Sequence, residues 1–398
     1  MPPKALILAG GFGTRLRPLT FSKPKPLVEL LNKPMLMHQL EAISKLGVKK
    51  IVLAVSDIGE TLQTFIKQFN QKNETVEVIV SKEDYPLGTA GPIKLAEKHL
   101  KGDDPIFIVN SDIICEFPLK ELLDFHVKKQ STTTILGFKV ENPSRYGVII
   151  PDKEGRVQRF VEKPQTFVGN LINTGVVVIN SKVLELIPEN KFCSLEREIY
   201  PQLVDKQCIF CFQKGSFWID LGIPTDYIFG AQLYMNYLRN TNRDERNETL
   251  NKLQQKFLKS YIIENEMIEK ETQQQQQQQQ SNFKIIGNVI VPQKENSVKI
   301  GKGCILGPNV VIGPNVTIGE GCRIFNSTIL ENVTIGNHTL VEGSVVGWKS
   351  KIGNWVQIRN NSVLGLDVTV GDNCVLNSVS VCPNKSANKS IWEKTIVL

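Results

Sequence analysis

Three glycines, a threonine and an arginine crowd into the stretch Gly10-Gly11-Phe12-Gly13-Thr14-Arg15, directly after the apolar run Ala5-Leu6-Ile7-Leu8, and Lys25 follows in Ser22-Lys23-Pro24-Lys25-Pro26. Glycines after a strand let backbone N–H groups approach a polyphosphate, while Arg15 and Lys25 supply the charge that a triphosphate demands. The spacing is neither Gly-x-Gly-x-x-Gly nor Gly-x-x-x-x-Gly-Lys-Ser/Thr, which argues against a dinucleotide turn and a P-loop. Asp112 ends a second apolar run and Asp220 lies in another apolar setting. Two such carboxylates can hold one Mg2+ beside phosphate oxygens. In Glu162-Lys163-Pro164, the carboxylate can accept a sugar hydroxyl and the ammonium can reach a sugar phosphate as a point charge. Phosphoryl-type transfer mainly demands positioning and charge neutralisation, so no Ser-His-Asp arrangement is required.

The elements that must position these groups follow from periodicity. Short Val/Ile/Leu runs at 5–8, 51–55, 76–80, 106–109, 132–138 and 175–179 alternate with longer patterns such as Met35 to Leu46, where Leu36, Leu40, Ile43 and Leu46 keep helical spacing. Strand, helix and strand in that rhythm predict βαβ units and an α/β domain over 1–240 with a mainly parallel sheet covered on both faces. Such sheets bind ligands at the carboxyl ends of their strands, which directs attention to the loops after Leu8, Val55 and Val109. A polar stretch with eight consecutive glutamines at 273–280 marks 241–284 as a linker that cannot fold alone. Beyond it, over 285–398, aliphatic residues recur every six positions: Ile300, Leu306, Ile312, Ile318, Ile324 and Leu330. After a slip at 331–339, expected to be a loop or a distorted coil, the series resumes at Leu340, Val346, Ile352, Ile358, Leu364, Val370, Leu376 and Cys382. A six-residue period makes each repeat one short strand of a triangular parallel β-helix.

Composition agrees with a globular protein of two or three domains: 398 residues, 41% hydrophobic and 22% charged. Lys and Arg (47) are interleaved with Asp and Glu (40), a balance that suits small anionic ligands and points to no nucleic acid. No apolar run reaches a membrane span, and Met1-Pro2-Pro3-Lys4 leads into a strand without a cleavable signal, so a cytoplasmic protein with no membrane contact is expected. The eight cysteines offer one close pair, Cys208-x-x-Cys211, and only four histidines accompany them, which favours free thiols over a zinc site. His38, inside the first helical pattern, reads as structural.

The glycine segment, through Leu16-Arg17-Pro18-Leu19-Thr20 to Pro24-Lys25-Pro26, resembles at every fixed position the signature of the sugar-phosphate nucleotidyltransferase family. Further segments agree in order: Pro86-Leu87-Gly88-Thr89-Ala90-Gly91, Asn110-Ser111-Asp112, Tyr146-Gly147-Val148, Phe160-Val161-Glu162-Lys163-Pro164, Ile172-Asn173-Thr174-Gly175 and Phe217-Trp218-Ile219-Asp220-Leu221-Gly222. The resemblance implies a Rossmann-like catalytic domain and gives the hexapeptide coil its left hand. It further implies Arg15, Lys25 and Lys163 as catalytic residues. Nucleotide contacts are implied at Leu8, Gly10, Gly11, Gly13, Thr14, Gly88, Thr89 and Asn110, sugar contacts at Gly147, Glu162, Asn173 and Gly175, and Mg2+ ligands at Asp112 and Asp220.

Three stretches are closer still to the catalytic β type of the eukaryotic GDP-mannose pyrophosphorylases: Asn32-Lys33-Pro34-Met35 with His38-Gln39-Leu40-Glu41-Ala42, Asn110 to Pro118, and Val346-Gly347-Trp348. That implies GTP and mannose 1-phosphate as substrates, GDP-mannose as product, a homo-oligomer, and association with a regulatory α-type subunit. Departures from that type are Thr174 for its usual Ala, Arg197 for Lys, and the glutamine insertion. The residues alone leave other pairings of nucleoside triphosphate and sugar 1-phosphate open. They also leave open a non-catalytic subunit that binds GDP-mannose, and acyl transfer using His338.

Overall fold

A computed structural model describes residues 3–244, 283–292 and 297–398. The glutamine tract and most of the expected linker lie outside the described residues. The chain divides into two compact units. One comprises the chain up to Phe12, Pro24–Leu27 and Met35–Ile219; the other comprises Gly13–Lys23, Val28–Pro34 and the chain from Asp220 onward.

In the first unit, Lys4–Leu8 lies between Ile106–Asn110 and Lys50–Val55, with Glu77–Lys82 beyond, all parallel. Alternation along these strands serves two cores, because successive side chains point to opposite faces. Ala5, Ile7, Ile51 and Leu53 join one cluster, while Leu6, Val52 and Ala54 join the other. Leu36, Leu40 and Ile43 of the helix Met35–Ser44 cover the first cluster, and Ile93 and Leu100 belong to the second. The sheet then continues antiparallel through Leu171–Ile179, which pairs with Ile106–Asn110 and Thr133–Lys139, and through the hairpin Gly147–Pro151 and Val157–Glu162. Ile209–Gln213 adds a parallel edge to Thr133–Lys139. Lys4–Leu8 thus sits where connections diverge to either side, the place at which open α/β sheets leave a crevice.

Three parallel sheets of short strands build the β-helix of the second unit. Its inward residues stack level with level: Ile300, Ile318, Ile335, Ile352, Val370 and Ala387 on one face; Leu306, Ile324, Val341, Ile358 and Leu376 on the next. Each such buried side chain contributes about 1.5–3 kcal/mol, so stability accrues by stacking coils rather than within one. The expected slip at 331–339 is not a loop: Thr334–Ile335 is a strand paired to the coils before and after it. Instead the period shortens by one residue at corners, Ile324 to Ile329, Val341 to Val346 and Leu376 to Val381, where Asn326, Gly343 and Ser378 take left-handed backbone. The inward positions are therefore Ile329, Ile335, Val341 and Val381, not Leu330, Leu340 and Cys382. Asparagines at the other corners bond coil to coil, as from Asn315 Nδ2 to Asn332 Oδ1 at 3.1 Å. No helix among the described residues is long and apolar enough to cross a membrane.

Candidate active site

At the carboxyl end of Lys4–Leu8 the chain turns between its two parallel neighbours. Ala9 N–H donates to Ala54 O, and Ser111 N–H donates to Leu8 O at 2.9 Å. The two glycines that follow meet opposite surroundings. A Cβ on Gly10 would lie 2.7 Å from Ser56 Oγ and 2.9 Å from Glu83 Oε1, whereas a Cβ on Gly11 would meet nothing within 4 Å. Glu83, which is buried, accepts hydrogen bonds from Ser56 Oγ at 2.5 Å and from Leu87 N–H at 3.0 Å. It ties the glycine turn to the start of Leu87-Gly88-Thr89.

That second segment is zipped to another stretch of chain. Ala90 N–H donates to Cys193 O and Cys193 N–H to Leu87 O. Gly88 is left-handed (φ +79), and a Cβ there would strike Cys193 O at 2.4 Å. Thr89 Oγ1 donates to Glu196 Oε2 at 2.6 Å and accepts from Leu195 N–H at 2.9 Å. Its hydroxyl is consumed internally, which leaves its backbone for any ligand.

Lys25 is 7% exposed, and its Nζ lies 2.5 Å from Oδ2 of the partly open Asp112. The turn carrying Asp112 is held by Gln39, fully buried in the first helix, whose Nε2 donates to Asn110 O (2.8 Å) and Ile113 O (3.2 Å). Gly175 packs so closely on Asn110 that a Cβ would come 2.5 Å from its Nδ2. Gly175 N–H donates to Asn173 Oδ1 at 2.9 Å, in the register break of Leu171–Ile179. Asn173 therefore has its amide N–H2 to offer outward. Its neighbour Thr174 is buried and donates to Leu136 O at 2.8 Å, so this departure serves the core.

Glu162 and Lys163 close the hairpin strand Val157–Glu162. Lys163 is 61% exposed and 3.5 Å from Glu162 Oε1, and its backbone is left-handed, with its N–H donating to Tyr146 O. A Cβ on Gly147 would lie 2.4 Å from the Phe160 ring and 2.9 Å from Glu162 Oε2. Burial, and then the charge of Glu196, raise the Glu162 carboxyl above its ordinary value despite Lys163 and Arg197. Half-buried among charges, such a carboxyl is suited to accepting hydroxyl hydrogen bonds.

The remaining expected residues belong to the second unit. Gly13 has left-handed backbone before the short turn Thr14–Leu16, and its carbonyl accepts from Thr20 Oγ1 at 2.7 Å. Thr14 and Arg15 are exposed. A Cβ on Gly222 would lie 3.0 Å from Asp220 Oδ1 and 3.2 Å from the Arg15 guanidinium, so Gly222 leaves room for an acid and a base at one spot. His38 is buried. His338 stands at a β-helix corner, stacked on Trp355 at 4.3 Å. The eight cysteines are free, six of them buried.

Ser56, Glu83, Gln39 and Glu196 escaped the sequence reading. Gln39 alone left a signal, a polar residue between core positions Leu36 and Leu40 of an amphipathic helix.

A family model described as nucleotidyl transferase matches residues 4–236, and one described as the GMPPB C-terminal domain matches 285–397. The chain is 43% identical to the mannose-1-phosphate guanyltransferase of Pichia angusta, covering 99% of this chain and 100% of that protein. To the mannose-1-phosphate guanylyltransferase catalytic subunit beta of Drosophila melanogaster it is 41% identical, covering 99% and 97%. Among solved structures it resembles a putative glucose-1-phosphate thymidylyltransferase from Bacillus anthracis, with a TM-score of 0.53 and 20% identity, over 57% of this chain and 93% of that one. It also resembles a UDP-glucose pyrophosphorylase, with a TM-score of 0.53 and 21% identity, over 60% of this chain and all of that one. These two likenesses concern the fold.

Proposed function

We propose, because the chain belongs to the nucleotidyl transferase family and within it to the mannose-1-phosphate guanylyltransferases, that it transfers GMP from GTP to mannose 1-phosphate. An oxygen of the sugar phosphate attacks the α-phosphorus of GTP. The bond from that phosphorus to the bridging β-phosphate oxygen breaks, and GDP-mannose and pyrophosphate leave. Such in-line transfer needs charge neutralised and reactants aligned more than it needs a protein nucleophile.

One observation supports this above others: buried Lys25 is paired with the partly open Asp112, just past the end of the strand Ile106–Asn110. Lys25 and Arg15 neutralise the triphosphate, and backbone at Leu8, Gly10, Gly11, Gly13, Thr14, Gly88, Thr89 and Asn110 receives the nucleotide. Lys163, exposed at the end of the hairpin strand, holds the sugar phosphate. Glu162 and the free N–H2 of Asn173 take sugar hydroxyls, with Gly147 and Gly175 giving them room. Asp112 and Asp220, as hard carboxylate oxygen donors, would be the ligands of Mg2+. When bound, the ion neutralises developing phosphate charge. The catalytic domain over 1–240, the linker over 241–284 and the β-helix over 285–398 stay part of the proposal. So do a cytoplasmic location, homo-oligomers and pairing with an α-type subunit.

The test is pyrophosphate release with Mg2+, crossing four nucleoside triphosphates with mannose and glucose 1-phosphates. Release confined to GTP with mannose 1-phosphate is expected. Silence with every pair, alongside GDP-mannose binding, would make the chain a regulatory subunit.

A further inference from the structure

Between the two cationic residues of the signature, Arg15 and Lys25, and the first long helix lies a hairpin that the proposed chemistry does not use. Glu29–Leu30 pairs with Lys33–Pro34, and the turn residues Leu31 and Asn32 are both left-handed, with φ of 51° and 62°. A leucine resists that conformation, so something outside the hairpin must hold it. The β-helix does: Asn32 Nδ2 donates to Ile312 O at 2.7 Å.

Glu29 is the centre of the attachment. Its carbonyl accepts from the hydroxyl of Tyr227, a fully buried side chain. Burial and the Glu29 charge push that phenol upward in pKa, which keeps it a donor. Glu29 Oε1 pairs with Lys23, while Oε2 accepts from Trp348 Nε1 at 3.0 Å. Lys23 Nζ also stands 4.6 Å over the Trp348 ring, a cation–π arrangement. Trp348 is 3% exposed and belongs to a β-helix coil. Lys23 ends the segment Gly13–Lys23, whose two short turns, Thr14–Leu16 and Leu19–Phe21, and the Thr20-to-Gly13 bond leave it little freedom.

We infer that Glu29 and Trp348 are positioning residues for nucleotide binding: the β-helix, through Trp348 and Glu29, fixes Lys23 and with it the segment that presents Gly13, Thr14 and Arg15. The inference rests on the triphosphate being received by that segment. It gives the β-helix a part in the chemistry of one chain, separate from any part in assembly.

Full-length Trp348→Phe keeps an aromatic face under Lys23 and removes the donor; Glu29→Gln keeps an acceptor for Trp348 and removes the charge. Losing a hydrogen bond to a charged group should weaken GTP capture about tenfold. Each variant should show that loss in kcat/KM for GTP and in GTP affinity by calorimetry. KM for mannose 1-phosphate should stay within about twofold, below the loss expected from any direct contact. The double variant should lose little more than either single one, because both act through one contact. Unchanged GTP affinity in both variants overturns the inference. Equal losses toward both substrates with a lowered melting temperature also overturn it, since that is the behaviour of a fold contact. Calorimetry separates this result from the transfer reaction itself. A parent that binds GTP but turns over no pair leaves the comparison of GTP affinities intact, and a parent that binds no GTP refutes the positioning role outright.

Discussion

Substituting alanine at two adjacent glycines should produce opposite phenotypes. At Gly11 the new methyl meets no atom within 4 Å, and the residue is absent from those with positive φ. Folding should therefore lose nothing and gain about 0.4–1 kcal/mol from a less flexible unfolded chain. The same methyl stands where the signature brings backbone to a phosphate. Displacing a reacting phosphate by about 1 Å costs on the order of 100-fold, equivalent to about 2.7 kcal/mol of transition-state stabilisation. At Gly10 the methyl falls 2.7 Å from Ser56 Oγ and 2.9 Å from Glu83 Oε1, inside any normal contact. Relief requires parting Ser56 from a buried carboxylate, at a cost of about 2 kcal/mol. For a domain of this size that lowers the melting temperature by about 4–8 °C. The assay is a thermal melt of each variant with and without GTP, followed by pyrophosphate release. Gly11→Ala should melt slightly above the parent, gain no protection from GTP and lose activity; Gly10→Ala should melt early. If Gly11→Ala keeps parental kcat/KM for GTP, or destabilises as much as Gly10→Ala, the division of labour between the two glycines is wrong.

Other consequences are checked more briefly. Burial and Glu196 raise the Glu162 carboxyl in the folded state from 4.5; a raised acid imposes a folding penalty absent below its ordinary value and fully present above the raised one. Glu162→Gln should thus melt later than the parent at pH 8 but not at pH 4, while KM for mannose 1-phosphate rises; a gap independent of pH would refute the cause. Thr174→Ala leaves Leu136 O without its buried donor and should cost about 1 kcal/mol in denaturant unfolding. The same variant should leave the preference for mannose over glucose 1-phosphate unaltered, and a changed preference would return Thr174 to the sugar site. Asp220→Asn should abolish turnover yet leave GDP-mannose binding measurable, and an unaffected rate would remove Asp220 from the proposed Mg2+ pair.

Elements with strong periodicity were legible. The unbroken apolar runs in Lys4–Leu8 and Lys50–Val55 report two buried faces, and both cores are there. Val157–Glu162 reads poorly as a strand because it lies at the sheet edge, where Gln158 and Arg159 are exposed and no apolar alternation is enforced. In the β-helix the six-residue period was plain, but the three five-residue steps were not. Their corners use Asn326, Gly343 and Ser378 in left-handed backbone, yet Asn309, Asn332 and Asn373 take the same conformation at ordinary corners. Corner residues satisfy a backbone requirement common to both step lengths, so their identity cannot locate the shorter ones.

For the proposed site, the sequence names residue types and positions, and the structure adds what surrounds each of them. Five glycines in the first unit carry the signature's nucleotide and sugar positions. Four of them, Gly10, Gly88, Gly147 and Gly175, are crowded by Ser56, Cys193, Phe160 and Asn110, and only Gly11 faces open space. A sequence records the absence of a side chain without recording what excludes it. Close approach of protein to protein also sets side chains of the proposed site: Gly175 seats Asn110, and Gly147 seats Glu162. The residues that do the holding, Ser56, Glu83, Gln39 and Glu196, act on segments far along the chain, so no local pattern announces them. A pairing such as Lys25 with Asp112, across 87 residues, forms only when the short turn Lys25–Leu27 meets the end of the strand Ile106–Asn110. Substitutions at the holding residues should therefore mimic losses at the ligand-facing ones without touching substrate.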